Sequence, residues 1–260
     1  MISEQVKAQF VKDLIKKNQR PDGRQFMEHR SIEIIKNPFE NCEGSAICQI
    51  GDTKVLAGVK VDLATPFPDR LNEGMLSVNC EFSPIAHNSF EAGPPDERSI
   101  ELARVVDRGI RAANTIDLKK LVVAPGKVLG IFIDLYILDY NGNLTDAASI
   151  AAMSALKNAK MPTVEQVGEV YKLNHDKRPG KLPLGQEVVT CTFEKINNTI
   201  VLDASIEEEH ASSGRFTFGA TNDGHICSAQ KSGSAGFTIE EFDSLIDTTL
   251  EKRVALFKLL

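Results

Sequence analysis

The chain has little of what announces a chemistry by itself. Its five cysteines, Cys42, Cys48, Cys80, Cys191 and Cys227, include no C-x-x-C pair. Four of them lie in strand-like apolar runs, so buried reduced thiols are expected rather than disulfides or a zinc site. The five histidines stand singly, without H-x-x-x-H or H-E-x-x-H spacing, and give no reason to expect a metal centre. No apolar stretch reaches the length of a membrane span. The opening MISEQVKAQFVKDLIKKNQR holds neither a continuous apolar region nor a small-residue cleavage site. A cytoplasmic protein is the expectation. Positive charge is not in excess either: 30 Lys and Arg against 36 Asp and Glu give a net −6. That excludes a generally basic nucleic-acid coat and leaves room only for a local basic patch.

What is present is an ordinary globular composition, 42% hydrophobic and 25% charged over 260 residues, enough for one large or two small domains. Residues 1–20 read as an amphipathic helix, with Val6, Phe10, Val11, Leu14 and Ile15 on one face and Lys7, Lys12 and Lys16 mostly on the other. Two later stretches repeat a plan. EGSAICQIGDTKVLAGVKVD and EVVTCTFEKINNTIVLDASI each read strand, tight turn, strand. Each is followed by further extended chain and then a helix, GPPDERSIELARVVDRGIRAAN in the first half and TIEEFDSLIDTTLEKRVALF in the second. Asn114 suits a stop for the former, and Thr238 with Glu241 forms a capping box for the latter. The first half carries an extra strand–helix unit, LGIFIDLYILDY plus AASIAAMSALKNA. That helix is apolar nearly all round and should be buried. The pattern predicts an α+β protein: a first half over 21–160, a Pro- and Gly-rich connector over 161–186, and a second half over 187–260 ending in a helix.

Three places could carry chemistry. The turn NGNLTDAASI, 141–150, joins a strand to a helix N-terminus, where outward N–H groups and the helix dipole favour an anion. Its acidic residue, Asp146, would repel a phosphate. On the helix over 97–112, Arg104, Arg108 and Arg111 fall in one arc with Glu97 and Glu101, opposite Ile100, Leu102, Ala103, Val105, Val106 and Ile110. This is either a solvated face laced with ion pairs to the two glutamates or a phosphate-gripping rail. LDASIEEEHASSGR sets Asp203, Glu207, Glu208 and Glu209 close together. Such carboxylates can hold Mg²⁺ or divide acid and base roles, but a run of glutamates in a loop reads first as a solvated surface. KSGSAG, 231–236, lacks the P-loop pattern and reads as a flexible turn.

Three pieces in register, with the C-terminal half as a fourth, resemble the RNase PH family of phosphorolytic 3′→5′ exoribonucleases. RPDGRQFMEHRSIEI looks like the family's R-x-D-G-R-x-x-x-E-x-R, EGSAICQIGDTKVLAGV like its E-G-S-A hairpin, and ERSIELARVVDRGIR like its arginine-bearing helix. With the C-terminal half, the likeness covers nearly the whole chain. It implies the RNase PH-like α+β fold of two related strand–helix halves with mixed sheets and packed helices. In active members a D-G-G-T-R loop binds the attacking phosphate. Here the glycines fall on Asn143 and Leu144, the threonine on Thr145 and the arginine on Asp146. The family's acidic motif meets Asp203, Glu208 and Glu209, and its further aspartate falls on Arg215. The family's Q-G-T-x-E is changed to QKSGSA, while Arg98 matches the arginine that approaches phosphate. The chain therefore looks like the non-catalytic RNase PH-like subunit of the archaeal exosome core, inactive alone. The resemblance implies a catalytic RNase PH-like paralogue in heterodimers forming a hexameric ring, S1- or KH-domain cap proteins, single-stranded RNA, and inorganic phosphate as co-substrate at the partner's site, with no cofactor of its own. Arg98, Arg104, Arg108 and Arg111 would then grip RNA. The other reading is a self-sufficient phosphate-dependent 3′→5′ exoribonuclease with a diverged site.

Overall fold

Alternating apolar residues and tight turns build two main sheets, with two short two-stranded pairs beside them. In a computed structural model of the protein, which describes residues 2–168 and 170–260, the chain opens with α1 (Ile2–Lys16), β1 (Ile32–Lys36), β2 (Gly44–Ile50), β3 (Thr53–Ala64), β4 (Met75–Phe82) and α2 (Glu97–Ala112). It continues with β5 (Val122–Ala124), β6 (Lys127–Asp139), α3 (Leu144–Asn158), β7 (Lys160–Met161), β8 (Thr163–Val167), β9 (Val170–Asn174) and β10 (Gly180–Lys181). The second half holds β11 (Val188–Ile196), β12 (Thr199–Leu202), α4 (Ile206–Ala211), β13 (Gly214–Thr221), β14 (Ile226–Gly233) and α5 (Ile239–Leu259). The larger sheet runs β1-β2-β3-β6-β4 with β5 beside β6, and the smaller runs β12-β11-β13-β14. Among the described residues all strand pairs are antiparallel except β4 with β6. The hairpin turns sit where the sequence places them, with Gly51 and Asn197 both at φ 55°.

The fold is organised around α3. Every residue from Thr145 to Leu156 is buried, because the helix lies between the sheets, on β2 and β3 on one side and β11 on the other. Small residues on both surfaces make this possible: a Cβ on Gly44 of β2 would stand 2.4 Å from the Ala155 carbonyl oxygen. Ile150, Met153 and Leu156 are completely enclosed, each worth roughly 1.5–3 kcal/mol of burial. Helix α2 packs on β4, α3 and β14, and α5 covers β11 and β13. One apolar cluster thus joins both halves.

Three expectations change. Among the described side chains of α1, only Val11 and Ile15 are enclosed, while Val6 and Phe10 are 65% and 59% exposed. The helix rests mainly on α4, six residues long and too short to cover the whole apolar stripe. Part of the connector is structured: β8 and β9 pair as a hairpin. Just past β9, His175 Nδ1 lies 2.9 Å from Glu43, and Glu43 also accepts from the Val61 N–H at 2.9 Å. KSGSAG begins inside β14 and then turns, with the Ser234 and Ala235 amides donating to the Ser213 carbonyl. Those two N–H groups are not free to form an anion nest.

Candidate functional site

The strand–turn–helix at Asn141–Gly142–Asn143 has the backbone an anion loop needs. Gly142 and Asn143 have φ of 87° and 53°, and Asn143 caps α3. Yet the chain uses the glycine for itself. A Cβ on Gly142 would stand 2.4 Å from the Ala204 carbonyl oxygen and 2.7 Å from the Ile206 nitrogen. The space above the turn is filled by the segment that starts α4. Thr53 Oγ1 donates to the Gly142 carbonyl at 2.7 Å and Arg30 Nη1 to that of Asn141 at 2.6 Å, which fixes the turn to β3 and to the chain before β1.

That segment carries the acidic cluster, and the expectation of a solvated glutamate run fails for two of its three glutamates. Glu207 is the outward one, in an exposed pair with Lys7. Asp203 and Glu208 are fully enclosed. Arg20 grips Glu208 with two bonds, Nε to Oε1 at 2.8 Å and Nη2 to Oε2 at 2.7 Å. Asp203 accepts from Arg24 Nη1 at 3.0 Å, Arg30 Nη2 at 2.8 Å, the Arg30 N–H at 2.8 Å and Asn143 Nδ2 at 2.7 Å. Burial works against its ionisation, but the Arg30 hydrogen bonds and charge outweigh it and hold the carboxyl at about 2. Glu209 accepts from Tyr140 Oη at 2.5 Å, Arg215 Nη2 at 2.8 Å and the Asn143 N–H at 2.9 Å. Arg215 is held from its other side by buried Glu194. Among the described residues, no group of three or more His, Cys, Asp or Glu side chains could hold a metal ion.

Asp146 does not face the turn. It is completely buried and points across to β11. There it accepts from Thr190 Oγ1 at 2.7 Å, Thr192 Oγ1 at 2.8 Å and the Thr192 N–H at 2.9 Å, and from Asn143 Nδ2 at 2.9 Å. Burial raises its pKa to about 6 against these hydrogen bonds. The negative group at the turn is Glu209, and Asp146 ties α3 to the second sheet. A position in the first turn of a helix that buries every side cannot turn outward.

The arginine row also divides. Arg98 lies in the first turn of α2, bonded to the capping Asp96 at 2.9 Å, with its guanidinium 5.1 Å from the Phe90 ring centre. It opens onto a cavity of about 180 Å³ shared with Tyr140, Leu144, Thr145, Glu209 and Arg215. Asn143, Asp146, Asp203 and Glu208 do not line that cavity. Arg104, Arg108 and Arg111 line a separate groove between α2 and β4. The ion pairs expected with Glu97 and Glu101 do not form among the described residues. Arg111 pairs with Asp107 at 2.8 Å, Glu101 accepts from Ser232 at 2.8 Å, and Arg104 and Arg108 make no ion pair with any described residue. Ile100, placed by periodicity on the apolar side, is 49% exposed at the edge of that face.

Sequence reasoning passed over Arg20, Arg24 and Arg30 as ion partners, and Tyr140 and Glu194 altogether. The first three stand in the R-x-D-G-R and H-R steps of the opening motif. Their spacing signals a cluster, and Arg24 does pair locally with Asp22, but the buried acids they hold, Asp203 and Glu208, lie more than 170 residues on.

Known proteins complete the picture. The sequence matches domain 1 of the 3′ exoribonuclease family over residues 28–162 and domain 2 over residues 186–252. It is 44% identical over 254 residues to "Exosome complex component Rrp42" of Thermococcus gammatolerans, covering 96% of this chain and 92% of that protein. A chain of the Archaeoglobus fulgidus exosome with RNA bound to the active site superposes with a TM-score of 0.88 at 38% identity, covering 99% of both. One from an archaeal exosome core gives 0.86 at 37% identity, covering 99% of this chain and 98% of that one. The fold is accordingly the RNase PH-like α+β fold, and the chain belongs to the RNase PH family of 3′ exoribonucleases.

Proposed function

We propose that the chain is a non-catalytic structural and RNA-binding subunit of a phosphorolytic 3′→5′ exoribonuclease complex, an exosome core ring. The observation that carries this reading is the internal neutralisation of the acidic motif. Asp203, Glu208 and Glu209 each hold an arginine of their own chain. A general acid or metal-holding carboxylate needs an open face toward its substrate. Here Asp203 and Glu208 are enclosed, and Glu209 already accepts three hydrogen bonds. The self-sufficient exoribonuclease would require at least one of the three to be released.

In this reading a catalytic RNase PH-like paralogue supplies the chemistry, with inorganic phosphate as co-substrate at its own site. The two alternate as heterodimers in a hexameric ring capped by S1- or KH-domain proteins. Arg104 and Arg108, exposed and without carboxylate partners among the described residues, are the stronger of the four arginines for gripping single-stranded RNA. Arg98 and Arg111 are shared with Asp96 and Asp107.

The test is phosphate-dependent degradation of labelled single-stranded RNA, by this chain alone and mixed with the catalytic paralogue of the same genome. No nucleoside diphosphate release alone, and activity above the paralogue's own when mixed, is the expected result. Release by this chain alone would return it to the enzymes. Charge reversal at Arg98, Arg104, Arg108 and Arg111 should weaken RNA binding by the assembled ring and flatten its salt dependence, by about 0.7 in slope for each phosphate no longer neutralised. Unchanged affinity would remove the RNA role.

A further inference from the structure

We infer that the groove between α2 and β4 holds two phosphates, gripped by Arg104 and Arg108, and that Arg111 is a positioning residue that ties the two walls of the groove together and touches no RNA. This rests on the RNA-binding reading and divides a row of arginines that helical spacing leaves uniform. One wall is Leu76, Ser77 and Val78 of β4, and the other carries Arg104, Asp107, Arg108 and Arg111, around a volume of about 370 Å³. Three arginines against one aspartate leave a surplus of two positive charges. Arg104 and Arg108 stand about 6 Å apart along the helix axis, comparable to the step between successive phosphates of an extended strand. Both are exposed and form no ion pair with any described residue.

Arg111 is committed elsewhere. Its Nε donates to both carboxylate oxygens of Asp107, at 3.0 and 2.8 Å, and its Nη2 to the Leu76 carbonyl at 2.6 Å. Its charge is matched by a carboxylate in contact. A phosphate brought to it would meet Asp107 at close range, a like-charge juxtaposition that costs binding. The same bonds explain why Asp107 is there. An acid on the wall of a phosphate groove opposes binding unless it serves the groove, and this one orients the guanidinium that reaches across.

The bridge matters because β4 is the last strand of its sheet and has no strand neighbour on one side. The apolar side of α2, with Leu102, Ala103, Val106 and Ile110 buried, sets the helix against the body of the protein. Among the described residues, the hydrogen bond from Arg111 to Leu76 is the one that joins α2 to β4. It fixes the separation of the walls at the end next to Arg108. Arg104 and Arg108 then meet a strand in a groove that already has its bound width, and such preorganisation raises affinity by removing an ordering cost.

The experiment assembles the ring with the paralogue and titrates a labelled single-stranded oligoadenylate by fluorescence anisotropy, in phosphate-free buffer across a range of potassium chloride. Arg104→Ala and Arg108→Ala should each lower the slope of log affinity against log salt by about 0.7. The double variant Asp107→Asn with Arg111→Gln removes the bridge without changing net charge, and Arg111→Lys keeps the charge but loses the planar fork. Both should weaken binding by about three- to tenfold, the size of coupling between residues that share a contact, with the slope as in wild type. A slope lowered by about 0.7 in the double variant would make Arg111 a phosphate ligand and overturn the inference. Wild-type affinity in both variants, with or without a lower melting temperature, would overturn it too, because the bridge would then be structural only. If Arg104→Ala and Arg108→Ala change neither affinity nor slope, the RNA-binding reading falls and takes this inference with it. The two failures are told apart by which arginines respond.

Discussion

Arg20→Ala is the perturbation that most directly asks whether the acidic motif is structural. Arg20 and Glu208 are both completely enclosed, and Arg20 also donates to the carbonyls of Leu202 at 3.0 Å, Asp203 at 2.9 Å and Gln25 at 3.2 Å. Truncation leaves a buried carboxylate without its two-pronged cation and the Leu202 carbonyl without this donor, while the Asp203 and Gln25 carbonyls keep the Arg24 guanidinium and the Glu28 N–H. Breaking a buried pair from one side costs about 3–5 kcal/mol, roughly a fifth or more of the ~5–15 kcal/mol by which a domain is stable. At about 2–4 °C per kcal/mol for a chain of this size, the melting temperature should fall by roughly 6–20 °C. The assay is thermal and urea denaturation followed by circular dichroism, with Glu207→Ala as the control. Glu207 is half-exposed against Lys7, and its loss should stay within about 0.5 kcal/mol. The double variant Arg20→Met with Glu208→Leu removes both charges and should recover most of the loss, since a buried pair is often no more stabilising than apolar residues of similar volume. A loss under about 1 kcal/mol for Arg20→Ala would refute the reasoning, because a carboxylate so easily abandoned is not held by its partner.

Gly142→Ala should destabilise the chain by more than about 1–3 kcal/mol, since the added Cβ would meet the Ala204 carbonyl oxygen at 2.4 Å; urea denaturation measures it, and a neutral result would mean that α4 does not lie against the turn. Asp146, raised to about 6 from 3.8, binds its proton more tightly in the folded chain. Its contribution is therefore fully present below pH 3.8 and lost as pH rises to 6, by about 3 kcal/mol at 1.36 kcal/mol per pH unit. Asp203, lowered to about 2, acts oppositely and loses its contribution only as pH falls from 3.8 to 2. The slope of stability against pH between 4 and 6 should thus be less negative in Asp146→Asn than in wild type, and an unchanged slope would place the titration elsewhere. Ile150→Val, at the centre of α3, should cost about 0.5–1.5 kcal/mol in urea, and more than 2 kcal/mol would mean that α3 tolerates no relaxation.

What was legible in the sequence was what is decided locally. The turns at Gly51 and Asn197 need φ above zero and carry residues that accept it. Helix α3 announces its burial by having no polar face, and α5 announces its start through Thr238 and Glu241, whose reciprocal bonds are made. What was illegible depends on partners distant in the chain. A run of three glutamates is a surface feature until Arg20, more than 180 residues earlier, is brought to it. Asp146 in a glycine turn reads as a charge facing an anion, because sequence does not show that β11 covers that side of α3. The pairing of Arg111 with Asp107 was available at i,i−4; helical spacing offers several acids to each arginine, and Glu97 and Glu101 share its arc without pairing with it.

The titration properties of the site argue against using a shifted pKa as the mark of chemistry. Asp146 at about 6 and Glu194 at about 7 are the two carboxyls nearest to where a general acid or base is useful. Neither reaches the cavity: Asp146 is sealed between α3 and β11, and Glu194 lies behind Arg215. In both, the shift comes first from burial. Asp203, where the family's acidic motif falls, has moved the other way, because two arginines of its own chain hold it ionised. A carboxylate with its charge already neutralised by its own chain has little left to offer a substrate, and one raised by enclosure has no route to meet it. The residues able to act on something outside the chain are those left undercommitted at its surface, and on α2 these are Arg104 and Arg108.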